Sequence, residues 1–472
     1  MNTLDASIVN IALPSIANAF GQPLNGKVQW TIIVYLVVLA STLLAFGRLA
    51  DMYGGKRVWS AGIIVFTVGS VACGLAPSLT ALITFRGLQG LGASMMMAPS
   101  AALISHTFSS TERGRALGIN AVVVSVGVSS GPVLGGYLTQ YLSWEYIFFI
   151  NLPIGVITYF WTLHTLPQAP HAHRSNERFD VWGGILIAVG LGGLTLGTSF
   201  GPDWGWDSPR ILAALGLGLA GTFAAYFVER RVADPLVNLS FFNNRMFTLS
   251  FVTLLLCSMT IVTAVLLLPF YYEQLRDFST SRSGLLMTPA ALALGVVGPV
   301  AGRLSDRFGS TYLVPLGLLL NAVSFLMLCF VDARTAVGYV VLALIISGVG
   351  RGMFFPANSS TLMNNTPPEG LGIGSSMLST GRLIGQSVGI ALAGALFNGL
   401  DGATAGDALE HGTRTAALEG TFVHAFGTAM LVAGAIGLVA TIVSLLRGRT
   451  RPSRANAAPA SAPPAHAGPG LP

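Results

Sequence analysis

GRLADMYG at residues 47–54 returns as GRLSDRFG at residues 302–309, an offset of 255. The same offset carries Leu13-Pro14 onto Leu268-Pro269, and GVSSGPVLGG at 127–136 matches GQSVGIALAG at 385–394 with an offset of 258. A chain that repeats over so long a period is built from two related units in the same order. Around both copies it is almost wholly apolar. Of the 472 residues 52% are hydrophobic and 9% charged, against about 25% charged in an ordinary soluble domain. Runs such as Trp30–Phe46, Val58–Leu75 and Tyr312–Val331 can cross a hydrocarbon core of about 30 Å as helix. They are apolar all round, which excludes a bilayer β-barrel, whose strands alternate in polarity. The fold class is all-α and integral to a membrane.

Fourteen spans are expected, centred near residues 12, 38, 67, 95, 127, 155, 191, 219, 258, 293, 321, 349, 387 and 434. The repeat divides them into a six-span bundle at 1–167, a linker with two extra spans at 168–245, a second six-span bundle at 246–447 and an Ala/Pro-rich tail at 448–472 expected to be disordered. With the N-terminus in the cytoplasm, 16 of the 25 Lys and Arg residues fall on the cytoplasmic side and 6 on the other. The positive-inside rule therefore places both termini in the cytoplasm, in a multi-pass protein of the cell (inner) membrane. This distribution also accounts for the formal charge of +6 without nucleic acid; the lipid bilayer is the partner it implies. Cys73, Cys257 and Cys329 lie in separate apolar runs with no CxxC spacing, so neither a disulfide framework nor a metal site is suggested. GQPLNGKV at 21–28 nearly spells a phosphate-binding loop, but it lacks the Ser/Thr that holds magnesium.

Parallel six-span repeats are how many secondary transporters enclose a cavity near the bilayer midplane, and a few polar residues stand out against the apolar background. In GRLADMYGGKR, Gly47 permits close helix approach, and Gly54 and Gly55 permit a tight turn. Asp51 is an acceptor, with Lys56 and Arg57 following it. An acid at a helix N-terminus or beside a base forms a latch that can be made and broken; the alternative is a turn with solvated charges. Recurrence at Gly302, Asp306, Arg307 and Gly309 favours a cytoplasmic gate. In RGLQG, Arg86 and Gln89 share a face at i, i+3. An arginine within a span costs about 2.5–3.5 kcal/mol on insertion scales, so it faces a partner or a wet cavity unless it snorkels. Gly127, Gly131, Pro132, Gly135 and Gly136 form a small-residue packing seam with a kink. Asp5, four residues from the start, is either a helix cap or a buried working acid.

Taken together these stretches resemble the major facilitator superfamily. GRLADMYGGKR is similar to its loop signature, departing at Met52 and Gly55, where basic residues are usual, so that the latch here would either be weaker or rely on Lys56 and Arg57. RGLQG resembles its proton-coupling motif and GVSSGPVLGG the signature of its antiporters, whereas the second copy has Ile390 in place of proline. LDASIVNIALP at 4–14 and WEYIFFINLPIG at 144–155 resemble patterns of the fourteen-span drug:proton antiporters. The resemblance implies two six-helix bundles plus two central helices, and a secondary transporter rather than an enzyme. It implies export of small amphipathic toxic compounds or antibiotics in exchange for H+, with no cofactor and a monomeric chain. Asp5 would carry the coupling proton, its charge set by burial, which favours the neutral acid, and by Arg86, which favours the carboxylate. Asn10, Trp30, Tyr35, Met96, Phe355, Arg382 and Gln386 would line the substrate cavity, though such side chains also pack against helices or lipid. A proton-linked uptake symporter, or a sensor with a transporter-like body, remain the alternatives. From Asp5 to Phe20 only about 22 Å of helix is available. The acid is therefore expected at the cytoplasmic rim, in a first span lacking its cytoplasmic portion because the chain starts late.

Overall fold

The computed structural model describes residues 1–22, 26–109, 112–166, 179–205, 207–232, 239–410 and 413–447. Among them are seventeen α-helices and no strand. Inside a bilayer every backbone N–H and C=O must be satisfied within its own segment, and helix does so for each apolar run. The first repeat comprises α1 (Asn2–Ala19), α2 (Gly26–Tyr53), α3 (Gly55–Gly74), α4 (Leu79–Met97), α5 (Ser100–Thr107), α6 (Arg113–Tyr141), α7 (Tyr146–Phe149) and α8 (Asn151–Thr165). α9 (Val181–Trp204) and α10 (Pro209–Glu229) follow. The second repeat comprises α11 (Arg245–Phe270), extended by a π-turn at Tyr271–Leu275, then α12 (Thr280–Phe308), α13 (Leu313–Cys329), α14 (Val337–Asn364), α15 (Leu371–Gly399), α16 (Gly402–Glu410) and α17 (Ala416–Leu445).

Helix lies over each of the fourteen expected centres, and ten helical stretches are long and apolar enough to cross a membrane by length and composition. Side-chain caps fix several starts: Ser78 accepts from the Ala81 amide at 3.2 Å below α4, and Asp180 from Gly183 at 2.9 Å below α9. The run expected as one span near residue 95 is two helices, α4 and α5, because Pro99 has no N–H to continue the ladder. Gly54 (φ 96°) and Gly309 (φ 81°) make the turns that end the two repeated stretches.

Each repeat has its own core. Ile8, Ile16, Cys73, Leu82 and Phe148 are buried together in the first, and Tyr271, Phe325, Phe422 and Phe426 in the second. The repeats meet where α6 lies along α12 and α2 along α15, with α5 also against α15 and α6 against α14. These contacts are backbone-close. A Cβ on Gly118 would sit 2.5 Å from the Gly298 carbonyl oxygen, and one on Gly302 would collide with that of Gly114. α9 packs on both α2 and α15, along one flank of this junction, and α10 packs on α9. Large apolar side chains remain bare on the outside, among them Trp161, Leu219, Phe223, Leu285 and Val296, a surface suited to lipid and not to water.

Candidate functional site

Glycines bring three helices close enough to build a polar centre. A Cβ on Gly92 of α4 would collide with the Phe66 backbone of α3. One on Gly90, the residue after Gln89, would lie 2.7 Å from the Tyr35 carbonyl oxygen of α2. With α4 drawn in this far, the Arg86 side chain reaches across. Its Nε donates to the Thr31 carbonyl at 2.7 Å, and its Nη1 to Asp5 Oδ2 at 2.6 Å and Gln89 Oε1 at 2.6 Å. Its guanidinium lies 4.4 Å from the Tyr35 ring centroid, within cation–π range. Gln89 Nε2 donates to Asp5 Oδ1 at 2.8 Å, and Asn151 Nδ2 to the same oxygen at 3.1 Å. Both amides also reach the Ser70 hydroxyl, at 3.1 and 3.0 Å, and Ser70 in turn donates to the Phe148 carbonyl. The carboxylate of α1 thus takes its hydrogen bonds from α4 and α8, while α2 and α3 hold those partners in place.

Asp5 is not at a rim. It is 1% exposed and its partner Arg86 0%. The depth of the acid is set by its neighbours and not by the length of α1, because α2 and α4 run on past it; Asn2, one turn earlier, still donates to Ala93 of α4. Sequence reading found Asp5, Arg86 and Gln89 but missed Asn151 and Ser70. A polar residue opening the apolar helix α8 was the available signal for Asn151; Ser70, one small polar residue within α3, gave none.

The glycine seam of α6 holds the turn that carries the acid. A Cβ on Gly127 would lie 2.6 Å from Thr3 Oγ1, one on Gly131 2.5 Å from Ser7 Cβ, and one on Gly135 3.0 Å from the Ile8 carbonyl oxygen. Asp5 sits between the first two contacts. Gly136, from the same motif, faces open space, and the side chains of Pro132 and Asn10 lie outside the described residues.

At the other end of the inter-repeat junction the two repeated acids do the same thing. Asp51 accepts from the amides of Gly372 and Ile373 at the start of α15, at 2.5 and 2.9 Å. Asp306 accepts from Gly114 and Arg115 at the start of α6, at 2.8 and 2.9 Å. Gly47 and Gly302, one turn before each acid, are the close approaches that let it reach those amides. The amides are orphan donors of a helix N-terminus, where negative charge is favoured. Lys56 is occupied elsewhere, donating to Leu163 and Leu166 carbonyls at 2.9 and 2.6 Å, where it caps α8. Arg57 and Arg307 are exposed.

The residues expected around a cavity are dispersed. Tyr35 and Met96 are buried beside Phe66, next to the Asp5 centre. Trp30 instead packs on Phe200 of α9, ring centroids 4.9 Å apart. Phe355 and Arg382 meet in the second repeat, with the guanidinium 5.0 Å from the ring centroid, and Gln386 follows one turn along α15, half-buried.

A body of apolar helices in two repeats, with a polar centre buried in one, is that of a multi-pass membrane protein. The profile of the Major Facilitator Superfamily matches residues 1–390 and, in a second match, 249–471. The chain belongs to that superfamily. It is 33% identical to multidrug resistance protein Stp of Mycobacterium tuberculosis (strain CDC 1551 / Oshkosh), over 83% of this chain and 73% of that one. It is 32% identical to riboflavin transporter RibZ of Clostridioides difficile (strain 630), over 84% and 85%. The crystal structure of the human organic anion transporter MFSD10 matches 94% of this chain and 96% of its own with a TM-score of 0.62 at 16% identity, a likeness of fold alone.

Proposed function

We propose that the chain is a proton-coupled exporter of small amphipathic compounds, working as a monomer in the cell membrane with fourteen spans and both termini in the cytoplasm. Bundles at 1–167 and 246–447 would rock about the cavity between them. The observation that carries this reading is the enclosure of Asp5 by Arg86, Gln89 and Asn151 within a helix seated on the antiporter-like seam. A carboxylate held this way accepts three hydrogen bonds; a protonated one needs an acceptor of its own and releases Arg86. Proton uptake therefore changes how α1 is held against α4 and α6. In the exporting cycle, the deprotonated protein takes substrate from the cytoplasmic side, turns outward, exchanges it for H+ and returns neutral. Asp51 and Asp306 would close the cytoplasmic gate by binding the starts of α15 and α6, with Gly54 and Gly309 shaping the loops.

The test is proton release on adding substrate to purified protein, with a pH-sensitive dye, for the wild type and Asp5→Asn. Release in the wild type and none in Asp5→Asn is expected; undiminished release in Asp5→Asn refutes the mechanism. Vesicles with an imposed pH gradient give the direction, and accumulation along the proton gradient would make the chain an uptake symporter instead.

A further inference from the structure

The first repeat pairs its fully buried arginine with a carboxylate, whereas the second holds two half-buried arginines that have none among the described residues. Arg86 meets Asp5. Arg351 on α14 and Arg382 on α15 meet no carboxylate among the described residues. Arg351 donates from Nε to the Ser347 carbonyl of its own helix at 3.3 Å. Arg382 makes no hydrogen bond among the described residues, and its guanidinium lies over Phe355 at 5.0 Å. Phe355 stands one turn after Arg351 on α14 and meets Arg382 of α15, which places the two arginines around one ring. Arg447, more buried and likewise without a carboxylate among the described residues, differs in what its Nη2 reaches: Asn358 Oδ1 accepts from it at 2.7 Å and the Leu249 carbonyl at 3.1 Å, while its Nε and Nη1 have no partner there.

The other faces of α14 and α15 are occupied. Gly348 and Gly352 approach α12, Gly350 approaches α13, and Gly381, Gly385 and Gly389 approach α11. Leu383, Ile384, Ser387 and Val388 line a narrow crevice toward α2 and α9. Arg351 and Phe355 lie one turn apart on α14, and Arg382 and Gln386 one turn apart on α15, all four half-buried.

We propose that Arg351 and Arg382, with Phe355 and Gln386 beside them, bind the anionic group of the transported compound, so that the substrates are amphipathic organic acids. A cation inside a span is costly without a counter-charge, and here the ligand brings it. Guanidinium presents its donors in a planar fork that matches a carboxylate or an ionised phenol and stacks on aromatic faces. Phe355 already supplies one ring, and the Gln386 amide a neutral donor and acceptor. The N-terminal repeat carries the proton site and the C-terminal repeat the anion site, so the two are separable.

This inference rests on the exporter reading, but its test needs no gradient. The full-length protein in detergent is titrated against fluorescein, which carries a carboxylate and an ionisable phenol, and rhodamine 6G, a related xanthene dye that is esterified and cationic. Fluorescence polarisation reads both. The wild type is expected to bind fluorescein at least about tenfold tighter than rhodamine 6G, and Arg351→Gln and Arg382→Gln each to lose about tenfold for fluorescein and less than about threefold for rhodamine 6G. Arg382→Lys keeps the preference for the anion with reduced affinity, which separates charge from misfolding. Equal or reversed preference in the wild type, absence of fluorescein binding, or equal loss of both dyes in the Gln variants overturns the proposal. Charge-selective binding without proton release leaves the anion site standing and removes the exporter reading; proton-coupled export without charge preference does the reverse.

Discussion

Neither charge of the Asp5–Arg86 pair can be removed alone without leaving the other buried and uncompensated. Breaking such a pair costs about 3–5 kcal/mol, whereas replacing both partners is often close to neutral. Asp5→Asn and Arg86→Gln are therefore each expected to lower the thermal midpoint in detergent by several degrees. The double variant, whose amides can still bond to Gln89 and Asn151, recovers most of that loss while proton release stays absent. A double variant less stable than either single one would show that the pair is not the unit. At this scale the sequence was informative where charge met apolar surroundings, since Asp5 and Arg86 are costly in a span and must be explained. Asn151 and Ser70 were not legible because small polar residues are tolerated in membrane helices, and only packing shows that these two touch Asp5 or its partner. Trp30 packs on Phe200, and from sequence an aromatic residue in a span fits a ligand wall and a helix contact equally well.

At the element scale the repeat was the strongest signal, because hydropathy marks helices and a duplicated loop marks equivalent positions in two bundles. What it left open was the partner of each acid. Asp51 binds the start of α15, 321 positions away, and Asp306 the start of α6; the basic residues next to each acid supply neither bond. Helix-end carboxylates of this kind contribute about 0.5–2 kcal/mol each, enough to bias two conformations without fixing one. Spin labels at Tyr53 and Pro367, both exposed beside the Asp51 contact, give the separation of α2 from α15. In Asp51→Ala and Asp306→Ala the distance distribution is expected to gain a longer component, larger still in the double variant. An unchanged distribution would mean that glycine packing alone holds this end shut.

The whole molecule poses the question of which half the unpaired helices follow. α9 touches α2 of the first repeat and α15 of the second, so if the bundles rock it must slide on one of them. Its contact with α2 is the tighter kind: a Cβ on Gly192 would stand 2.5 Å from Ser41 Oγ and 3.8 Å from Ser41 Cβ. Toward α15 it presents instead a crevice lined by Leu191, Leu194, Thr195 and Thr198, a surface that can slip. α9 and α10 should therefore move with the first repeat. The 3.8 Å separation suits a disulfide, as does the 3.9 Å from a Cβ on Gly298 of α12 to Ala121 Cβ of α6, which joins the two repeats toward the end where Asp306 meets α6. Oxidised Ser41→Cys/Gly192→Cys is expected to retain at least about half of its reduced transport rate in vesicles. Oxidised Ala121→Cys/Gly298→Cys is expected to lose about tenfold or more, restored by a reducing agent, since about 1.4 kcal/mol on a rate-limiting step is already tenfold. Arrest by the first crosslink would show that α9 travels with the second repeat, and full activity with the second would show that the bundles do not part along α6 and α12.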